Sequence, residues 1–433
     1  MRDLAVLVVN FNKRELLVKC LESIFASEST DFDVFLVDNA SVDDSVDAVN
    51  KQFGEKVTLL LNEENTGGAG GFYRGMKYIT ELGKYKYLVE FDNDITVEPD
   101  AINALRHYME HSPDVGACGA TIIDANSPDY VYEMGAMIDV HTFRLNLPFH
   151  QAKQEKLPKE SLCDYVAFGA SIIRIEAMKR IGYADISFFI FWDDMEFCWR
   201  LRKAGYKVCA ISSAVVYHNG QTAYHHPLGN YYRFRNKIVC FARHTSDEEF
   251  NVLPDTLLLI YFRNMVASIN TPEKASAYTH ALFDALNNVT GKVVDGKIST
   301  LYPHQKWHKM VAGKQCINIC VSEGFTQLDS LIETLKNVTN APIAINKEIK
   351  LGQELTVLAC PYVLDFDYSS MLLDSECTLV WDNYHNFACD RGDFKAFNEY
   401  NDYYPLFKSA LYMYVKAKLV ELRKTYLKQK YLN

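Results

Sequence analysis

Residues 1–125 alternate short runs of β-branched apolar residues with amphipathic stretches, and this alternation constrains the fold more than any other feature. Such runs are typical of strands buried in a parallel sheet, and the stretches between them of covering helices. The sequence therefore predicts an α/β fold with a Rossmann-like, doubly wound, mostly parallel sheet. The predicted strands are Leu4–Val9, Val34–Val37, Val57–Leu61, Tyr87–Phe91 and Ala117–Ile123, and the predicted helices are Lys13–Ala26, Asp43–Phe53, Phe72–Leu82 and Pro99–Glu110.

The chain between residues 130 and 220 combines a loop-rich part with one further helix and strand. Residues 130–160 have weak periodicity, mixed charges and two prolines, which is typical of an excursion that lines a binding site. Apolar runs resume at residues 165–175 and 188–191. A helix is expected over Asp193–Ala204, with Gly205 as its stop, followed by a strand over Lys207–Tyr217.

The rest of the chain divides into smaller segments. Residues 228–288 are predicted to be mostly helical, with a break at Thr271-Pro272. A small βα-type module follows, with candidate strands Cys316–Val321, Thr356–Leu364 and Thr378–Trp381. We expect a first domain over 1–245, a helical segment over 246–312, a small α/β module over 313–390 and a helical tail over 391–433.

The tail from Tyr403 to Asn433 is predicted to be a basic amphipathic helix. Its apolar residues have helical spacing, and it contains seven Lys and Arg residues but only one acid, Glu421. A helix of this type can lie on an anionic membrane surface. The same pattern fits a helix that packs on its own domain or on a partner, including a second copy of the chain.

Composition limits the function classes. The 433 residues carry a formal charge of −10, which argues against nucleic acid as a partner and requires local cations or a metal for any anionic ligand. Eleven cysteines without CxxC pairs fit reduced thiols in a reducing compartment. No apolar run approaches the roughly 18 residues of a membrane span. We expect a cytoplasmic protein, soluble or peripheral on the inner face of the membrane.

Two nucleotide-binding motifs are missing from the sequence. No Gly-Lys pair is followed by Ser or Thr, which excludes a P-loop. The glycine-rich run at residues 67–71 has Tyr73 where the dinucleotide fingerprint needs its third glycine. Its glycines still offer backbone N–H groups to a phosphate or sugar before the helix predicted from Phe72. A nucleotidyltransferase would need a glycine-rich loop after the first strand, and Asn10-Phe11-Asn12-Lys13 has no glycine.

Acidic residues at strand ends suggest a divalent cation site. Asp92 and Asp94 follow a buried strand, so they should lie at the carboxyl edge of the sheet, where open α/β folds bind ligands. Two carboxylates separated by one residue can hold Mg²⁺ or Mn²⁺ and leave positions for diphosphate oxygens. His218 ends a strand directed to the same edge and could supply a nitrogen ligand. His225 and His226 compete for that role, and a solvated turn is the alternative for the two acids.

Three other segments carry candidate site residues. Asp38 ends the second strand, where it could bind a ribose or base or instead cap the next helix. Trp192-Asp193-Asp194 places carboxylates beside an aromatic ring at a helix N-terminus, an arrangement suited to a general base for a sugar hydroxyl. Arg235 lies among tyrosines and could clamp a diphosphate or form part of a solvated helix face.

Taken in order, these segments resemble the family 2 glycosyltransferases with a GT-A fold, over residues 4–243. The resemblance implies that Asp92, Asp94 and His218 bind Mn²⁺ or Mg²⁺, that Asp194 is the catalytic base, and that Trp192 and Asp193 contact the acceptor. It also implies a set of donor-binding residues, in which Asn93 replaces a middle acid often found in the family. That set is Asn10, Asn12, Asp38, Asn65, Gly67, Gly68, Asn93 and Arg235.

The function implied by the resemblance is inverting, metal-dependent transfer of a sugar from a nucleotide donor. The segment Trp192-Asp193-Asp194 and the run from Asp92 to Asp100 are most similar to galactofuranosyltransferases. The expected donor is UDP-galactofuranose, and the expected acceptor is a hydroxyl of a cell-surface or lipid-linked glycan. A rhamnosyltransferase using a dTDP-sugar is the alternative, and a non-catalytic glycan-binding or scaffold protein is a further one.

Overall fold

The structure is a computed structural model in which the chain forms two compact units. The first unit comprises residues 1–222 and 290–292, and the second comprises 223–289 and 293–433. The residues that the structure describes are 2–28, 31–219, 226–298, 307–312, 314–346, 355–361, 363–365, 378–383, 386–389 and 391–430.

The first unit is an α/β domain with twelve strands and six helices in its described residues. The strands are β1 (Leu4–Asn10), β2 (Asp33–Asp38), β3 (Val57–Leu61), β4 (Tyr87–Asp92), β5 (Ile95–Val97), β6 (Val115–Asp124), β7 (Val131–Glu133), β8 (Met137–Asp139), β9 (Arg144–Asn146), β10 (Glu160–Cys163), β11 (Ala170–Arg174) and β12 (Lys207–His218). The helices are α1 (Arg14–Phe25), α2 (Ser45–Gln52), α3 (Gly67–Glu81), α4 (Ala101–His111), α5 (Ile175–Ile181) and α6 (Asp193–Lys203).

The main sheet has the strand order β10-β12-β6-β11-β4-β1-β2-β3. Neighbours β4, β1, β2 and β3 are parallel, whereas β11 enters between β4 and β6 antiparallel to both. The chain leaves β1 toward β2 on one side and reaches β4 on the other. The carboxyl ends of β1 and β4 therefore lie at a topological switch point, where open α/β sheets bind ligands.

Both faces of the sheet are covered, because the central strands are apolar on both sides. All seven residues of β1 are buried. Val6 and Val8 belong to one hydrophobic core, and Ala5 and Leu7 belong to the other. Successive side chains of a strand point to opposite faces, so a continuous apolar run builds two cores at once. This burial holds the strand ends, and the polar residues that follow them, in fixed positions.

The second unit contains three successive helices, a small sheet and a long helix. Its elements are α7 (Pro227–His244), α8 (Asp247–Ala267), α9 (Pro272–Leu286), α10 (Trp307–Val311), β13 (Ile317–Val321), α11 (Leu328–Lys336), β14 (Ile343–Asn346), β15 (Leu355–Cys360), β16 (Thr378–Asp382), β17 (Phe387–Ala388) and α12 (Arg391–Lys430). The small sheet has the order β14-β13-β15-β16-β17, parallel except for β17. In the described parts of the chain, no helix has both the length and the apolar character of a membrane span.

The predicted fold class is confirmed: a mostly parallel α/β domain is followed by helices, a small α/β module and a C-terminal helix. The predicted break at Thr271-Pro272 separates α8 from α9. The predicted division into four domains stays a prediction, and the compact units divide the chain differently because α7 groups with the second unit. The tail helix begins at Arg391, at the start of the expected tail over 391–433 and twelve residues before the amphipathic pattern that begins at Tyr403.

Candidate active site

A buried polar network joins the carboxyl ends of β1, β2 and β4. Asn10 is fully buried, donates from Nδ2 to Asp38 Oδ1 at 2.8 Å and accepts from Asn93 Nδ2 at 2.7 Å. Asp38 also accepts from the backbone and hydroxyl of Ser41, and the Asn12 backbone N–H donates to the same hydroxyl. These four predicted site residues therefore lie at one sheet edge, where they hold each other in place.

The glycine segment lies against the same edge through Asn39, a residue that the sequence interpretation did not single out. Asn39 Nδ2 donates to the carbonyl of Gly67, and its Oδ1 accepts from Thr66 Oγ1. Asn65 Oδ1 accepts from the Gly67 N–H at 2.8 Å. A Cβ at Gly68 would meet nothing within 4 Å, so this position is open. The only available signal for Asn39 was its place directly after the second strand.

The start of the third helix was predicted incorrectly, because the glycines belong to α3 and do not form a loop before Phe72. Gly71 packs on β1 so closely that a Cβ there would lie 2.4 Å from Val9 Cγ1. A Cβ at Gly75 would lie 2.4 Å from Leu7 Cδ1. Close approach of the helix to the sheet therefore explains part of the glycine content, separately from any ligand.

We expect Gly67→Ala to lower the free energy of unfolding by about 1–3 kcal/mol. Gly67 has φ +73°, and a Cβ there would lie 2.0 Å from the carbonyl oxygen of Phe189. Gly68→Ala is the matched control, because its φ is ordinary and its Cβ would have space. That change should be neutral or stabilising by up to about 1 kcal/mol, since Ala is the better helix former. Thermal or urea unfolding of both variants distinguishes them, and equal stabilities would contradict the prediction.

Asp94 and His218 come together through a three-residue strand. The pairing of β5 with β12 sets His218 opposite Ile95, and His218 Nε2 lies 3.5 Å from Asp94 Oδ1. Asp94 Oδ1 is buried and has no hydrogen-bond partner among the described residues. Its other oxygen accepts from Lys13 Nζ at 2.6 Å. The sequence interpretation missed Lys13, although it directly follows the polar segment after the first strand.

Asp92 is held at the end of β4, opposite Val9 of β1. Burial and the charge of Asp94 raise the pKa of Asp92 to about 7, while the ammonium of Lys13 opposes this shift. Gly169 provides the room for this side chain, because a Cβ there would lie 2.5 Å from Asp92 Oδ2. A carboxyl group whose pKa is raised this far is destabilised in its anionic form, and a bound cation would stabilise that form.

Asp194 lies in the first turn of α6 and carries a perturbed carboxyl group. Burial raises its pKa to about 6, against hydrogen bonds from the Met195 backbone and from Tyr165. The charge of Asp194 in turn raises the pKa of Asp92, so the two carboxylates lie within electrostatic range. A buried carboxylate with a pKa near neutrality can both accept and release a proton at physiological pH.

The residues before Asp194 adopt a strained turn. Phe189, Phe191 and Trp192 have φ values of +66°, +65° and +71°. Non-glycine residues rarely adopt such values, and three within four residues mark a segment held by its surroundings. Trp192 is 4% exposed, so most of its ring is already covered. The neighbouring Asp193 is buried, and burial together with the charge of Asp194 raises its pKa well above the ordinary value.

Tyr165 and Glu133 extend the site beyond the predicted residues. The hydroxyl of Tyr165 is close enough to donate to the carboxylate of Asp194 or to that of Glu133, and it lowers the pKa of each. Burial and the charge of Asp194 raise the pKa of Glu133 to about 8. Glu133 lies in the segment of weak periodicity over residues 130–160, and Tyr165 begins the apolar run over 165–175. No local pattern therefore marked either residue as part of a site. Folding alone brings them beside the predicted base.

Two other predicted candidates, Arg235 and His226, have different surroundings. Arg235 belongs to α7 in the second unit and is fully buried, with its guanidinium 5.3 and 5.0 Å from the ring centres of Tyr231 and Tyr232. Its role in donor binding stays a prediction. His226 caps α7, where its Nδ1 accepts from the Leu228 N–H. His225 lies outside the described residues.

The residues present fit a divalent cation, although they do not form a closed site. Within the described ranges, no three His, Cys, Asp or Glu side chains are already drawn around one point. Asp94 Oδ1 nevertheless has no hydrogen-bond partner in the part of the chain that the structure describes, and it lies beside His218 Nε2. An oxygen and a nitrogen placed in this way are ligands that Mn²⁺ accepts. Lys13 would have to share the Asp94 carboxylate with the ion.

Comparisons with known proteins identify the first unit. A Haloferax volcanii protein, Low-salt glycan biosynthesis hexosyltransferase Agl10, is 22% identical over 306 residues, 67% of this chain and 93% of that protein. Galactofuranosyltransferase GlfT2 of Mycobacterium tuberculosis is 21% identical over 223 residues, 48% of this chain and 35% of the relative. The chain thus spans about a third of the length of that relative.

A third relative and a family profile complete the comparison. N-acetylglucosaminyl-diphospho-decaprenol L-rhamnosyltransferase of M. tuberculosis is 24% identical over 233 residues, 50% of this chain and 76% of that protein. The profile of Glycosyl transferase family 2 matches residues 5–182, which include the network at the sheet edge, Asp92, Asp94 and Tyr165. Residues 5–182 of the first unit therefore belong to Glycosyl transferase family 2.

Proposed function

We propose that the chain transfers a hexose from a nucleotide diphosphate sugar to a hydroxyl of a glycan or lipid-linked acceptor, with inversion at the anomeric carbon. The observation that carries this proposal is that Asp194, at the start of α6, lies close enough to Asp92, at the end of β4, for its charge to raise the pKa of Asp92. The carboxylate of Asp194, with its raised pKa, thus lies near residues that are suited to bind a cation and a diphosphate.

Asp194 is the proposed general base. Its carboxylate would accept the proton of the acceptor hydroxyl as that oxygen attacks the sugar from the face opposite the nucleotide. The hydrogen bond from Tyr165 stabilises the ionised form, and burial keeps its pKa close enough to neutral for proton transfer. Trp192 and Asp193 are the proposed acceptor contacts, since they directly precede the base.

Asp92, Asp94 and His218 are the residues proposed to hold Mn²⁺ or Mg²⁺. Such an ion, when bound, would stabilise the negative charge of the departing nucleotide diphosphate. Asn10, Asn12, Asp38, Asn93 and the segment around Asn65, Gly67 and Gly68 would orient the nucleoside and the sugar. Lys13 already neutralises part of the acidic edge and is close enough to Asp94 to assist with diphosphate charge.

The donor that we favour is UDP-galactofuranose, from which galactofuranose would be transferred. The similarity to a galactofuranosyltransferase supports it, whereas similarity at comparable identity to a rhamnosyltransferase supports dTDP-rhamnose as the alternative. A screen for transfer and hydrolysis would test UDP-galactofuranose, UDP-galactose, UDP-glucose and dTDP-rhamnose, each with Mn²⁺ and with EDTA. Turnover of the first donor alone supports the proposal, and turnover of dTDP-rhamnose alone favours the alternative. No turnover with any donor would favour a non-catalytic glycan-binding protein.

Removal of the Tyr165 hydroxyl should move the acid side of the pH–rate profile. Its hydrogen bond lowers the pKa of Asp194, so Tyr165→Phe should raise that pKa above about 6. Activity would then decline at a higher pH than in the wild type, with the plateau less affected. Tyr130→Phe, which changes an exposed tyrosine, is the matched control. An unshifted acid limb in Tyr165→Phe would separate Tyr165 from the base.

A further inference from the structure

One face of α12 packs within the second unit. Val415, Leu419 and Leu422 are 1%, 0% and 2% exposed. Near the start of the described side chains, the rings of Phe407 and Phe262 lie 4.8 Å apart, so α12 contacts α8 there. The interpretation of the tail as a docking helix is therefore correct for this face.

The opposite face of α12 presents apolar side chains to solvent. Leu406 is 74% exposed, Met413 is 73% exposed and Tyr403 is 59% exposed. At about 100° per residue, positions 403, 406, 410, 413 and 417 fall within one arc, on the side of the helix away from positions 415, 419 and 422. With the exposed Ala410 and Ala417, they form a stripe that we call the outer face.

Lysines continue and flank the outer face. Lys424 and Lys428 lie on the same arc, about two and three turns beyond Ala417, and Lys416 flanks it. All three are exposed, and none of them forms an ion pair within the described parts of the chain. Other basic residues of the helix are engaged: Arg423 binds Asp247 at 2.7 Å, and Lys418 binds Glu421 at 3.0 Å. The unpaired cations are therefore concentrated on the side that carries the exposed apolar residues.

We propose that the outer face of α12 docks on the surface of an anionic lipid bilayer. Leu406, Met413 and Tyr403 would enter the boundary between headgroups and acyl chains, and Lys416, Lys424 and Lys428 would contact lipid phosphates. Charge complementarity selects this partner, because the chain as a whole carries −10 and would be repelled by such a surface without a local basic patch. The proposal does not depend on which sugar the first unit transfers.

Vesicle flotation with the full chain tests this proposal. We expect binding to vesicles of equal parts phosphatidylcholine and phosphatidylglycerol, with weaker binding at high salt and little to phosphatidylcholine alone. Leu406→Glu with Met413→Glu should weaken binding by about tenfold or more, because both apolar anchors are lost. Changing Lys416, Lys424 and Lys428 together to Gln should remove the preference for anionic vesicles.

Leu162→Glu is the matched control, since it adds an acid at a 64% exposed leucine of the first unit. It should float with the vesicles as the wild type does, and unchanged melting temperatures of all variants would show that α12 still packs. Wild-type protein that fails to bind anionic vesicles would overturn the proposal. So would a wild-type dimer that Leu406→Glu with Met413→Glu converts to a monomer while vesicle binding is unaffected, because the outer face would then be a self-association surface.

Discussion

Asp194→Asn should lower turnover by roughly 10²- to 10⁴-fold, the usual contribution of a general base. The asparagine keeps an oxygen that can accept from the Met195 backbone, so the first turn of α6 should stay intact. It cannot take a proton from the acceptor hydroxyl. Initial rates with the donor identified by the screen would give turnover, and calorimetry with UDP would give donor affinity. Affinity should be unchanged, because the carboxylate acts on the acceptor side.

The pH dependence gives a second measure of the same group. The pKa of Asp194 is raised above its ordinary value, and the active form is the carboxylate, so activity should decline as pH falls through about 6. This decline should be absent from the residual activity of Asp194→Asn. Asp47→Asn, which changes an exposed acid of α2, should behave as the wild type does. Near-normal turnover in Asp194→Asn would show that another group is the base.

The parts of the fold that the sequence predicted are those fixed by local pattern. The first six residues of β1, Leu4–Val9, are apolar, and a fully buried central strand is the structure that such a run favours. The acids at 38, 92 and 94 follow apolar runs, so their place at the sheet edge followed from the parallel topology alone. Both ends of helix α6 were predicted to within one residue, because acidic side chains mark its first turn and Gly205 follows its end.

The parts that the sequence did not predict depend on contacts between distant residues. The antiparallel strand β11 fits between β4 and β6, and its apolar run does not reveal which strands it joins. His218 was expected at the same edge as Asp94, but strand β5, which pairs with β12 and sets their approach, has three residues, too few for a periodic signal. Helix α3 starts early because its glycines allow close packing on β1, which is a tertiary effect. The raised pKa of Asp194 arises from burial, which no spacing of residues encodes.

Asp92→Asn should abolish the effect of Mn²⁺ on nucleotide binding. The substitution removes a proposed ligand and its charge while it keeps the shape of the side chain. The loss of metal affinity should be at least the roughly 10- to 100-fold that follows changes in a ligand's supporting groups. Calorimetry of UDP binding with Mn²⁺ and with EDTA measures it, and the two titrations should coincide in the variant. UDP affinity with Mn²⁺ equal to that of the wild type would contradict the assignment.

Gly169→Ala tests whether position as well as charge matters at Asp92. An alanine Cβ at this position would lie 2.5 Å from Asp92 Oδ2 and 2.8 Å from its Cγ, so the carboxylate must move while every acid stays in the chain. The backbone at residue 169 does not require positive φ, and the strand register should be preserved. If Asp92 binds the cation from its present position, Gly169→Ala should weaken the Mn²⁺-dependent part of UDP binding and leave binding in EDTA unchanged. A loss confined to Asp92→Asn would instead indicate that the site needs the charge of Asp92 but not its geometry.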